Sequence, residues 1–139
     1  MNKVPFAERV TLTLTREQAL VVERACELLA RLHIGQFGTV TEMLLDFQRD
    51  MDDYCQRRDM ANTLLYQAAI AIFGRNVFGQ PDIEKKSLEH ERAWLIYTTL
   101  RHARSWHDHP EGGYTVNFDK PLPIGEYMPK CTITEGDEQ

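Results

Sequence analysis

Hydrophobic and polar positions alternate strictly near the start of the chain, where Val10, Leu12 and Leu14 interleave with Thr11, Thr13 and Thr15. A period of two with β-branched residues predicts a half-buried strand over 10–14. The period then changes. Thr15-Arg-Glu-Gln18 has the capping-box spacing that opens a helix. Leu20, Val21, Ala25, Leu28, Leu29 and Leu32 carry its apolar face to about His33, and Gly35 stands where a left-handed C-terminal residue is wanted. Thr39-Val-Thr-Glu42 repeats the capping pattern. Val40, Met43, Leu44, Phe47, Met51 and Tyr54 then form the sharpest amphipathic stripe in the chain, with Glu42, Asp46, Arg49, Asp50, Asp53 and Arg57 on the other side.

A third helix, about Met60 to Phe73, is apolar over most of its surface through Leu64, Leu65, Ala68, Ala69 and Ile72. Such a helix is buried on several sides or lies in an interface, so a homo-oligomer, dimer or larger, is expected. Residues 75–82 read as a loop with Gly79 and Pro81, and a fourth helix is expected from about Ile83 to Trp106. Pro110 cannot continue it. Beyond the Gly112-Gly113 turn, 114–118 and 130–134 alternate as short strands, with Pro121, Pro123, Gly125 and Pro129 between them. The fold class predicted is α+β. A four-helix core would carry a small three-stranded antiparallel sheet of 10–14, 114–118 and 130–134, joining the N- and C-terminal segments. Two strands alone would be marginal. Residues 1–134 are expected to form a single globular domain and 135–139 an acidic tail.

Composition adds boundaries rather than chemistry. The 139 residues are 42% hydrophobic and 27% charged, ordinary for a folded chain. No run of about 18 apolar residues is present to span a bilayer, and no basic segment followed by an apolar one marks a secretory signal. A soluble, cytoplasmic chain without membrane contact is expected. The net charge of −5 gives no bulk attraction to nucleic acid. Cys26, Cys55 and Cys131 are odd in number and widely spaced, as for reduced thiols.

The cationic exception is Arg101-His-Ala-Arg-Ser-Trp-His-Asp-His109. Arg101 and Arg104 share a helical face with Tyr97 one turn earlier. Two guanidiniums beside an aromatic ring suit a phosphate and a stacked base. The candidate ligand site is therefore Tyr97, Arg101, His102, Arg104 and His107, with the Gly112-Gly113 turn, and a nucleotide-type ligand. The same cations also complement the helix dipole, at about 0.3–1 kcal/mol each. His102 and His107 are not spaced for one helical face, and no metal motif is present. No catalytic residue and no cofactor are indicated. Ser87 and Ser105 lack a nucleophile-elbow context, and His33 reads as a structural imidazole at a helix end.

Two other readings stay open. A strand, a helix, a glycine turn and a second helix, over Arg9–Thr15, Glu17–His33 and Val40–Asp53, resemble a ribbon-helix-helix DNA-binding regulator, with Thr11 and Thr13 facing bases. The long first helix, the long loop and the acidic outer face of the second helix argue against DNA. The other is a small metal-dependent nucleotide hydrolase using His102, His107 or His109.

The string His109-Pro-Glu-Gly-Gly-Tyr-Thr-Val-Asn-Phe-Asp119, followed by Pro121-Leu-Pro123, joins Leu14-Thr-Arg-Glu-Gln18 and Gly35-Gln-Phe37 in a further resemblance. Together they resemble small uncharacterised proteins of tailed bacteriophages and prophages. The likeness covers both ends and leaves about 45–90 as the variable part. It implies a phage accessory protein in a bacterial cytoplasm that acts by binding rather than catalysis. Such a protein would counter host defence by sequestering a nucleotide signal or blocking a host protein. It carries over no site residue.

Overall fold

The computed structural model describes residues 8–45, 51–74 and 87–136. Among the described residues, four helices follow one another: α1 (Arg16–His33), α2 (Gly38–Leu44), α3 (Met51–Phe73) and α4 (Leu88–Asp108), with a single 3-10 turn at Val116–Phe118. The described residues fall into two compact units. One contains 8–27 and 92–136. The other contains 28–45, 51–74 and 87–91. The helices α1 and α4 each contribute to both. Among the described residues, no helix is long and apolar enough to cross a membrane.

The start of α1 follows the capping-box expectation. The Gln18 N–H donates to Thr15 Oγ1 at 3.2 Å, and the Thr15 N–H donates back to Gln18 Oε1 at 3.0 Å. Two first-turn donors are thus satisfied reciprocally. Its end is a Schellman motif. Gly35 sits at φ 81°, its N–H on the Leu32 carbonyl at 3.0 Å, while the Gln36 N–H reaches the Arg31 carbonyl at 2.9 Å.

In the second unit, α2 packs on α3. The expected long amphipathic helix does not form as one piece. The α2 helix begins at Gly38 with no side-chain cap, Thr39 and Thr41 are buried, and Leu45 is extended at ψ 120°. Phe47 lies outside the described residues, whereas Tyr54 belongs to α3. That helix starts nine residues ahead of the expected Met60. Its polar first turns are compatible with a helix, and an ion pair between Asp53 and Arg57 at 3.6 Å supports them at i,i+4. Phe37 meets Phe73 edge-on at 6.1 Å, holding the turn after α1 against the end of α3. Gly74 closes α3 at φ 70°, with its N–H on the Ile70 carbonyl. The expected loop 75–82 and the start at Ile83 lie outside the described residues; α4 begins at Leu88, where Ser87 caps it by accepting the His90 N–H at 3.0 Å.

The predicted sheet is absent, and with it the α+β class. Among the described residues there is no β-strand. Alternation predicts a strand only where one face is covered and a neighbouring backbone supplies the ladder. Neither holds for 10–14, where Val10 is 91% and Leu12 70% exposed. The 114–118 segment instead coils into the 3-10 turn, because Phe118 is drawn beneath Trp106. The two rings meet edge-on at 5.4 Å, and the indole Nε1–H donates to the Phe118 carbonyl at 3.1 Å. The last segment, 130–134, follows three prolines, Pro121, Pro123 and Pro129, that have no N–H to give a ladder.

Candidate functional site

The first unit is organised by ion pairs between the start of α1 and the end of α4. Arg16 makes a two-pronged contact with Asp108, at 2.8 and 2.6 Å. Two turns along, Arg104 holds Glu23 through Nε and a terminal nitrogen at 3.1 and 3.0 Å. The helices therefore run antiparallel here, and each guanidinium is locked in plane by its carboxylate. The hydrogen bond from Arg16 holds the Asp108 carboxyl below its ordinary value, and the guanidiniums of Arg16 and Arg104 are raised in turn by their partners. Elsewhere in the unit, Arg92 grips Glu126 in the same manner, and the Glu126 carboxyl is lowered by that hydrogen bond.

Beside the Arg16 and Arg104 pairs lies a cavity of about 590 Å³. Its walls are two extended segments, 11–15 and 130–135, and the facing turns of α1 and α4. Arg16, Arg104, Lys130 and His107 are among the residues that line it. Thr11, Thr13, Thr15, Thr132 and Thr134 supply hydroxyls. Leu12, Leu14, Ala19, Leu100 and Ile133 supply apolar surface, and Glu23 and Glu135 the carboxylates. A cavity of this size is within the range that holds a small ligand. Cys131 also lines it, with its thiol pushed up by burial. Cys26, Cys55 and Cys131 are all unpaired thiols.

The residues singled out from sequence divide between this cavity and other work. Arg104 and His107 line it. Tyr97, Arg101, His102, Gly112 and Gly113 do not. The Tyr97 ring is 8% exposed and packs edge-on to Trp94 at 5.1 Å. Arg101 lies against the same ring at 4.9 Å and donates to its hydroxyl at 3.2 Å, so the ring expected to stack a base already carries a guanidinium. His102 is half-buried on α4. The two glycines are explained by packing. Gly112 is at φ 82°, with the Trp106 ring 3.0 Å from where a Cβ would stand. At Gly113 a Cβ would meet the Phe118 ring at 2.5 Å. Both positions admit glycine so that the loop can close over these aromatics.

Sequence reasoning missed Arg16, Lys130 and the threonine walls. Thr11, Thr13 and Thr15 were legible as one face of an extended segment. That this segment lines a cavity depends on 130–135, more than a hundred residues away. Among the described residues, no three His, Cys, Asp or Glu side chains are grouped to hold a metal ion.

The second unit contains a separate arrangement of chemistry-bearing groups. The Ser87 hydroxyl lies 3.1 Å from His33 Nδ1, and His33 Nε2 lies 3.1 Å from a Glu89 carboxylate oxygen. Nearby, the buried His90 places Nδ1 2.7 Å from the Ala30 carbonyl, one of the four that the end of α1 leaves without helical partners.

No family model matches the chain, and neither the curated proteins nor the solved structures contain a match to it.

Proposed function

We propose that the chain is a binding protein that takes up an anionic, nucleotide-type ligand in the cavity between 11–15, 130–135, α1 and α4. The observation that carries this reading is the set of groups on one wall system. Arg16, Arg104 and Lys130 line the cavity together with five threonines, several aliphatic side chains, Glu23 and Glu135. Fixed guanidiniums and hydroxyls suit phosphate and sugar oxygens, and the aliphatic side chains suit the face of a base. The ion pairs support the reading as well, since Asp108 and Glu23 hold two of the cations in place before a ligand arrives, lowering the ordering cost of binding. In the setting implied by the bacteriophage resemblance, the protein sequesters a host signal nucleotide in the bacterial cytoplasm without converting it.

Isothermal titration of the full chain with a cyclic dinucleotide, cyclic ADP-ribose and AMP tests this. At least one is expected to bind with measurable heat. Lys130→Gln should weaken that binding about tenfold, the worth of one charge-assisted hydrogen bond. A folded sample that gives no heat with any of the three overturns the reading.

A further inference from the structure

The geometry of the second unit points to a nucleophilic serine centre built from Ser87, His33 and Glu89, which we propose reacts with activated carboxylic esters. Ser87 immediately precedes α4, Glu89 lies in the first turn of that helix, and His33 ends α1. The hydrogen bonds fix each role. A carboxylate only accepts, so the Glu89 contact at 3.1 Å assigns the ring proton to His33 Nε2. In the neutral imidazole the lone pair is then on Nδ1, which accepts the Ser87 hydroxyl proton across 3.1 Å. Nucleophile, base and orienting acid are thereby in sequence at hydrogen-bonding distances, as general-base activation of a serine requires. The Ser87 oxygen meanwhile accepts the His90 N–H at 3.0 Å, which holds the hydroxyl in place. The Leu88 and Glu89 N–H groups belong to the same first turn of α4.

The reaction balances without any group beyond water. Ser87 Oγ forms a bond to the ester carbonyl carbon as its proton passes to His33 Nδ1. The bond from that carbon to the alcohol oxygen breaks, and the imidazolium returns the proton to the departing alkoxide. Water then attacks the acyl-serine, giving its proton to His33, and the serine oxygen leaves with a proton taken back from the ring. Ser87 is exposed and Glu89 is 66% exposed, so the centre is shallow and takes a small acyl group from solvent. This activity is independent of the cavity in the first unit and stands or falls apart from it.

Ser87 and Ser105 are the only serines in the chain, and Ser105 is buried, which gives an internal control. The full chain is treated with a fluorophosphonate probe, and the adduct is located by peptide mass spectrometry. The label is expected on Ser87 and not on Ser105. His33→Gln should slow labelling about 100-fold, at the lower end of the range for loss of a general base. Glu89→Gln should slow it by a smaller factor. Ser87→Asn keeps a capping side chain at the helix start and should stay folded by circular dichroism while taking no label. With the wild-type chain, p-nitrophenyl acetate should release nitrophenol in a burst that scales with protein concentration. An unlabelled Ser87, or a label that arrives equally fast in His33→Gln, overturns the proposal.

Discussion

At Glu23 a carboxylate has given up nearly all its water for one guanidinium. Its side chain is 5% exposed, whereas that of its partner Arg104 is 35% exposed. The two halves of the pair are therefore not equivalent, and removing them should not cost the same. Arg104→Met strands a buried negative charge, and breaking a buried pair in that way costs about 3 kcal/mol. Glu23→Gln leaves a guanidinium that can turn to solvent, and the loss should be nearer 1 kcal/mol. Urea denaturation of the two variants should give that order; an equal loss would mean that Glu23 finds other donors. The pair was not legible in the sequence, because Glu23 occupies a position on α1 that reads as one more polar residue between Leu20 and Leu28. Its burial comes from α4, 81 residues later. The same distance effect hid Ser87 from His33, which are 54 residues apart.

At the scale of elements, α1 was legible because its signals are local: Thr15 and Gln18 close a box, and Gly35 reverses the chain. The α2 and α3 boundary was not. The stripe of Val40, Met43, Leu44, Phe47, Met51 and Tyr54 keeps helical spacing across Leu45, where the backbone turns extended, so periodicity alone joined what geometry separates. The predicted strands failed for the opposite reason: their period was genuine, but Val10 and Leu12 stay exposed and Phe118 packs on Trp106 instead of within a sheet. Met60, Leu64, Ala68 and Ile72 follow at four-residue steps on α3. All four are exposed, with Leu64 61% and Ile72 67% accessible. Light scattering coupled to gel filtration should find a dimer or larger species. Leu64→Glu with Ile72→Glu should shift it to a monomer without loss of helical signal. A wild-type chain that runs as a monomer removes the stripe as an interface.

For the molecule as a whole, the described ion pairs predict the acid limb of stability. Arg16 and Arg92 hold the Asp108 and Glu126 carboxyls below their ordinary values through hydrogen bonds. A depressed folded-state value means that the unfolded chain takes up protons first. The stabilisation is thus complete above the ordinary carboxylate values near pH 4, and it is lost as pH falls through the lower folded values. Thermal melts from pH 7 to pH 3 should show stability falling over that window. In Arg16→Gln with Arg92→Gln the decline should be shallower, because those carboxyls then titrate alike folded and unfolded. An unchanged acid limb in the double variant would assign it to other groups. The division of the chain into units has a further consequence, in time rather than in space. The described residues of one unit, 28–45, 51–74 and 87–91, come from one continuous part of the sequence, whereas the other unit needs 8–27 together with 92–136. During synthesis the stretch in the middle can fold as it leaves the ribosome. The 11–15 segment must wait for 130–135, more than a hundred residues later, before the cavity they line exists. The cavity is therefore missing from any chain that stops short of 130–135, even when most of its helices have formed.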